Sequence, residues 1–143
     1  MENIYPFLQK FHSGWAYLVL LLLFIVVLLS IIGLVSKGQF TATNRKLALF
    51  ALIFSHIQLL VGLVLWVISP RGKAALSQTS DAALRLTALE HPLTNIIAIV
   101  LITIGWSRHK KMSDDRTIFK NFSIFYGLGL LLILSKIPWS LWF

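Results

Sequence analysis

Four long apolar stretches, separated by short polar ones, organise this chain. They cover residues 14–35, 47–68, 93–106 and 122–143. An α-helix needs about 20 apolar residues to cross the hydrocarbon core of a bilayer. The first, second and fourth stretches meet that requirement. The third is shorter, and spans only if its helix begins upstream among residues 83–91, with the polar side chains there sheltered by protein or headgroups. Pro92 joins that extension to the third stretch and predicts a disturbance, because proline removes a backbone donor. The pattern predicts an all-α membrane protein, a four-transmembrane-helix antiparallel bundle. It forms one domain over residues 1–143, with helices at roughly 8–36, 46–69, 83–108 and 118–143. The first stretch is too long for a signal-peptide core, and Ser36-Lys37-Gly38 resembles no cleavage site. Pro6 suits the first turn of a helix that starts before the membrane. The longest connection opens with the turn Ser69-Pro70-Arg71-Gly72 and then reads as helical from Asp81 to Glu90, with Ser80 or Asp81 as the cap.

Composition agrees. Hydrophobic residues make up 57% of the chain and charged residues 13%, against about a quarter charged in soluble domains. The surplus of apolar surface calls for lipid. There are no cysteines, which excludes disulfides, iron–sulfur clusters, thiolate zinc sites and thioether-linked heme. The net charge of +8 reads as topology rather than nucleic-acid binding. Lys37, Arg45, Lys46, Arg108, Lys110, Lys111, Arg116 and Lys120 share one side, and Lys10, Arg71, Lys73, Arg85 and Lys136 the other. That bias favours the first and third loops in the cytoplasm and both termini outside. Trp15, Tyr17, Trp66, Trp139 and Trp142 then fall toward the outer interface.

Four histidines are the candidate chemistry. His12 and His91 precede the first and third apolar stretches. Those helices run in the same direction, so both imidazoles belong to the same membrane face. Two such residues facing across a bundle have the geometry of bis-histidine heme ligation. The positions sharing a face with His12 are Ala16, Val19, Leu23, Val26, Ser30 and Gly33. Those sharing a face with His91 are Asn95, Ala98, Ile102 and Gly105. Small residues along such stripes let helices approach or make room for a flat cofactor, and the spacing fits both uses. Interfacial anchoring of the two histidines is the competing reading. His56 lies near mid-membrane, where a polar side chain is expensive and usually faces the bundle interior. With Ser55 and Gln58 it makes that part of the second helix unusually polar, which fits a proton-handling group, a ligand or a packing contact. His109 lies in the basic run Arg108-His109-Lys110-Lys111 and reads as solvated.

Arg85 and Lys136 are the candidate partners for heme propionates, since cations pair with carboxylates. Glu90 is placed to orient the adjacent imidazole. No HExxH, Gly-rich phosphate loop or nucleophile elbow is present. No acidic residue falls inside an apolar stretch, which argues against a carboxylate proton relay.

Several segments carry a resemblance. His12-Ser-Gly-Trp-Ala-Tyr-Leu, Ser55-His-Ile-Gln-Leu-Leu-Val-Gly, Glu90-His91 and Ile137-Pro-Trp together resemble small cytochrome b-like membrane proteins typical of Bacteroidota. More loosely, the chain is similar to one four-helix half of heme A synthase. It departs from the synthase in carrying Ser13 beside the first histidine, and in having a single bundle. The resemblance implies His12 and His91 as heme ligands, with Gln58 and Gly62 on the intervening helix. The expected function is that of a heme b membrane cytochrome, passing single electrons from a quinol or a membrane dehydrogenase to a periplasmic-side acceptor. The alternative is a heme-free accessory subunit of a larger membrane complex. An enzyme of heme or quinone maturation ranks third. The expected partners are the lipid bilayer and a membrane protein or a second copy of this chain, with no nucleic acid.

Overall fold

A computed structural model describes residues 3–142. Among these, four helices are long and apolar enough to cross a membrane: α1 (Ile4–Ser36), α2 (Ala42–Ile68), α3 (Ala82–His109) and α4 (Asp115–Ser135). The shortest has 21 residues, about 32 Å at the α-helical rise, enough for a hydrocarbon core of about 30 Å. The protein is a multi-pass all-α bundle built for a bilayer. α1 packs on α2 and α4, and α3 packs on α4 and α2, with the α2–α3 seam the most sparsely packed. Outward-facing Leu21, Phe24, Leu60, Val64, Val100 and Leu131 are exposed, as a lipid-facing surface requires.

Local sequence sets the helix ends. Thr41 caps α2 by accepting from the Asn44 amide, and Asp114 caps α4 by accepting from that of Thr117. Of the two cap candidates for α3, Asp81 serves, accepting from the Leu84 amide at 3.0 Å. α1 begins at Ile4 rather than near residue 8, with Pro6 in its first turn. The buried side of α1 is Val19, Leu23, Val26, Ser30 and Gly33, the stripe that the spacing from His12 predicts.

Two prolines modify the expected helices. Pro92 does not break α3. Instead residues Leu86–Glu90 widen into a π-turn, with the His91 amide donating to the Leu86 carbonyl. Pro92 has no N–H for the Ala88 carbonyl four residues earlier, and the Trp66 indole of α2 donates to that carbonyl at 2.7 Å. Pro138 acts differently. The fourth helix was expected to run on to residue 143, which lies outside the described residues, but α4 stops at Ser135. A one-turn helix, α5 (Trp139–Trp142), follows. The residue before a proline is pushed out of the α region, so the chain leaves the helix at Lys136 and Ile137. The Leu134 carbonyl, which would have met the missing proline donor, accepts from the Trp139 indole at 3.2 Å.

The two halves of the bundle differ. Away from the termini the interior is solid, filled by Leu23, Ile102, Phe122 and Tyr126. There the Tyr126 hydroxyl donates to the Ala48 carbonyl at 2.7 Å. Gly129 admits Ile102 so closely that a β-carbon would lie 2.7 Å from its Cγ1, and the α3 and α4 backbones approach accordingly. Toward the end where α1 starts and α4 finishes, the helices part around a cavity.

Candidate functional site

The cavity has a volume of ≈ 230 Å³ and draws walls from all four helices. α1 contributes His12 and Ala16, α2 Gln58 and Gly62, α3 His91 and Asn95, and the segment after α4 Ile137 and Pro138. The two imidazoles expected to converge do so. Their ring centres stand 6.3 Å apart, with planes at 89°.

Each ring is held by its own surroundings. The His91 Nδ1 hydrogen-bonds the Lys136 carbonyl at 2.8 Å. With that carbonyl as acceptor, Nδ1 carries the proton and Nε2 keeps its lone pair. The acceptor is available because α4 ends before Pro138, leaving the Lys136 carbonyl outside any helix ladder. Asn95 donates from Nδ2 to the His91 carbonyl at 2.6 Å, one turn along. His12 lies against Gly62. A β-carbon there would stand 3.0 Å from its Cε1 and 3.6 Å from its Nδ1, so α2 offers a glycine where the ring needs the space. Gln58 donates to the His12 carbonyl at 2.8 Å and ties α2 to α1 at this level.

Two polar atoms in this wall, His12 Nδ1 and Gln58 Oε1, are buried without a hydrogen-bond partner among the described residues. Buried polar atoms are nearly always satisfied, and both of these belong to residues that line the cavity.

The cations expected to meet a ligand's carboxylates are otherwise engaged. Arg85 pairs with Glu90 at 2.9 Å and donates to the Thr79 carbonyl at 3.1 Å. Lys136 pairs with the other oxygen of Glu90 at 2.8 Å. Neither side chain lines the cavity, whereas Arg71, which the sequence placed in the turn after the second apolar stretch and among the charges of the same side, does. Glu90 does not touch the adjacent imidazole. It clamps the start of α3 to the end of α4, and so fixes the carbonyl that holds His91.

The other two histidines lie elsewhere. His56 was expected to turn inward, but it is exposed on the outer side of the α2–α3 seam. Its Nδ1 bonds the Leu52 carbonyl at 2.8 Å, and its Nε2 lies 3.4 Å from the Thr103 hydroxyl. A backbone acceptor one turn back satisfies it without the bundle interior. His109 was expected to be solvated, yet it is 5% exposed. Trp106, Phe40 and Phe122 surround its ring, and its Nδ1 bonds the Trp106 carbonyl. The run of charge around it concealed that one position faces the aromatic floor of the bundle.

No protein-family model matches the chain, and neither does any curated protein or solved structure. The chemistry therefore rests on the site itself. Among the described residues, no group of three or more His, Cys, Asp or Glu side chains converges. Two imidazoles that converge in one cavity without a third such donor could hold a metal only if other ligands completed its coordination. An imidazole nitrogen bonds a metal at about 2 Å, and the ring centre lies about 1 Å behind it, so two imidazoles that would share one metal need centres no more than about 6 Å apart. The separation here lies at that limit.

Proposed function

We propose that this protein is a b-type heme-binding membrane cytochrome in which His12 and His91 would hold the heme iron. The observation that carries the reading is the pair of imidazoles with centres 6.3 Å apart in one cavity walled by all four helices. The bound heme would supply one-electron redox chemistry. The chain's own residues prepare for it. The Lys136 carbonyl orients His91 as an acceptor on a ligand imidazole does. Gly62 leaves room for the His12 ring. The apolar walls keep water away and lower the local dielectric, which with the ligands sets the potential. The resemblance to small cytochrome b-like proteins supports the same reading. The distribution of lysine and arginine supports an inner-membrane orientation with the cavity toward the periplasm. A quinol or a membrane dehydrogenase is then the donor class and a periplasmic-side protein the acceptor class.

The test is the absorption spectrum of the purified, heme-supplied protein, oxidised and then reduced. Sharp low-spin b-type bands are expected. His12→Ala and His91→Ala should each abolish them, and His56→Ala should leave them intact. A protein without bands under heme supply would instead be the heme-free subunit of a larger complex. Bands that survive His91→Ala would refute the ligand pair.

A further inference from the structure

The cavity is mostly apolar, and among the described residues Arg71 is the only arginine or lysine that lines it. Its position is built rather than incidental. The Ser69-Pro70-Arg71-Gly72 turn folds back on the end of α2. The Ser69 amide donates to the Leu65 carbonyl at 2.7 Å, the Gly72 amide to the Ser69 carbonyl at 3.1 Å, and the Arg71 amide to the Ser69 hydroxyl at 3.1 Å. That hydroxyl also hydrogen-bonds the Tyr5 hydroxyl of α1 at 3.3 Å. Gly72 is buried against Trp66, and a β-carbon there would collide with the Trp66 carbonyl. The turn is thus pinned to both α1 and α2 at the cavity rim. The guanidinium it carries has no carboxylate, carbonyl or aromatic partner among the described residues. The two cations of the α3–α4 side, Arg85 and Lys136, are both paired with Glu90.

An apolar cavity with one unpaired guanidinium at its rim matches an amphiphile whose body is buried and whose carboxylate reaches the interface. We propose that Arg71 is the anion anchor of this cavity and binds a carboxylate of its ligand, which on the heme reading above is a propionate. Arginine suits this role because its planar donor fork matches a carboxylate in two places and keeps its charge at any working pH. The same chemistry would accept a lipid phosphate, so the test separates the two sources.

The purified full-length protein in neutral detergent is titrated with ferric protoheme and, separately, with its dimethyl ester, which keeps the ring but lacks the carboxylates. Arg71→Gln is compared with wild type, and Lys73→Gln, an exposed cation outside the cavity lining, serves as the control. Arg71→Gln should weaken protoheme binding about tenfold or more, the scale of a lost charge-assisted hydrogen bond. It should leave ester binding unchanged and keep the low-spin spectrum, and Lys73→Gln should bind both as wild type does. Equal protoheme affinity in Arg71→Gln and wild type would overturn the anchor and leave the heme reading standing. An equal loss on the ester would also overturn it, since the arginine would then act through the fold or a bound lipid phosphate. Wild type failing to give a low-spin spectrum with either porphyrin would overturn the heme reading and this inference together.

Discussion

At the scale of single residues, the site depends on how two rings are oriented as much as on their presence. His91 is held by the Lys136 carbonyl and His12 is wedged beside Gly62, and the two planes stand at 89°. On the heme reading, the ferric protein would give a low-spin electron paramagnetic resonance signal that depends on the mutual orientation of the two rings. Wild type should show it. Gly62→Ala places a β-carbon 3.0 Å from His12 Cε1 and must tilt or displace that ring. It should shift the signal and weaken heme binding by about tenfold, equivalent to about 1.4 kcal/mol. Gly14→Ala, where nothing lies within 4 Å of the added carbon, should leave both unchanged. A Gly62→Ala protein with the wild-type signal and affinity would mean that the glycine does not shape the His12 pocket.

At the scale of elements, prolines create the free carbonyls that the side chains use. Pro92 deprives the Ala88 carbonyl of its helical donor, and Trp66 replaces it. Pro138 ends α4 and releases the Lys136 carbonyl to His91. Interruptions that weaken a helix alone are thereby converted into bonds between helices, as membrane interiors require of freed backbone groups. Trp66→Phe should destabilise the bundle by about 1–3 kcal/mol, the cost of leaving the Ala88 carbonyl unsatisfied. In a Pro92→Ala background, which restores an N–H at position 92, the same change should cost distinctly less. Denaturant titration of the four proteins followed by circular dichroism gives the coupling energy. Additive effects would show that the indole bond and the missing proline donor are unrelated.

At the scale of the whole molecule, the bundle is solid at one end and hollow at the other. Phe122, Tyr126, Leu23 and Ile102 fill the end that carries most of the basic residues. His12, His91, Gln58 and Arg71 border the cavity at the end where α1 begins. On the heme reading, a rigid base with an open top would place the cofactor near one membrane face. The orientation proposed above makes that face periplasmic. The natural absence of cysteine allows a direct check. Ser140→Cys should react with an impermeant thiol reagent added to intact cells or spheroplasts, and Ser113→Cys should react only after the membrane is opened. The reverse pattern would invert the topology and place the cavity on the cytoplasmic side.

What the sequence determined by itself is the part governed by local physics. Apolar runs of bilayer length dictate four membrane-spanning helices, because a backbone in lipid must satisfy its own hydrogen bonds. The 3.6-residue period assigns the buried stripe of α1 and puts Asn95, Ala98, Ile102 and Gly105 on one side with His91. The parallel direction of α1 and α3 brings His12 and His91 to one end. The outcome of competition between distant groups lay beyond it. Arg85 and Lys136 looked like ligand partners until the fold brought both to Glu90, which left Arg71 as the cation at the cavity. His109 sits among charges in sequence but among aromatic rings in space, and His56 finds a carbonyl on its own helix instead of the bundle interior. Helical period and hydropathy act over a few residues and are written along the chain. Which of several cations meets one carboxylate, and which carbonyl meets one imidazole, depends on side chains 45 or 46 positions apart, and only the packed bundle decides it.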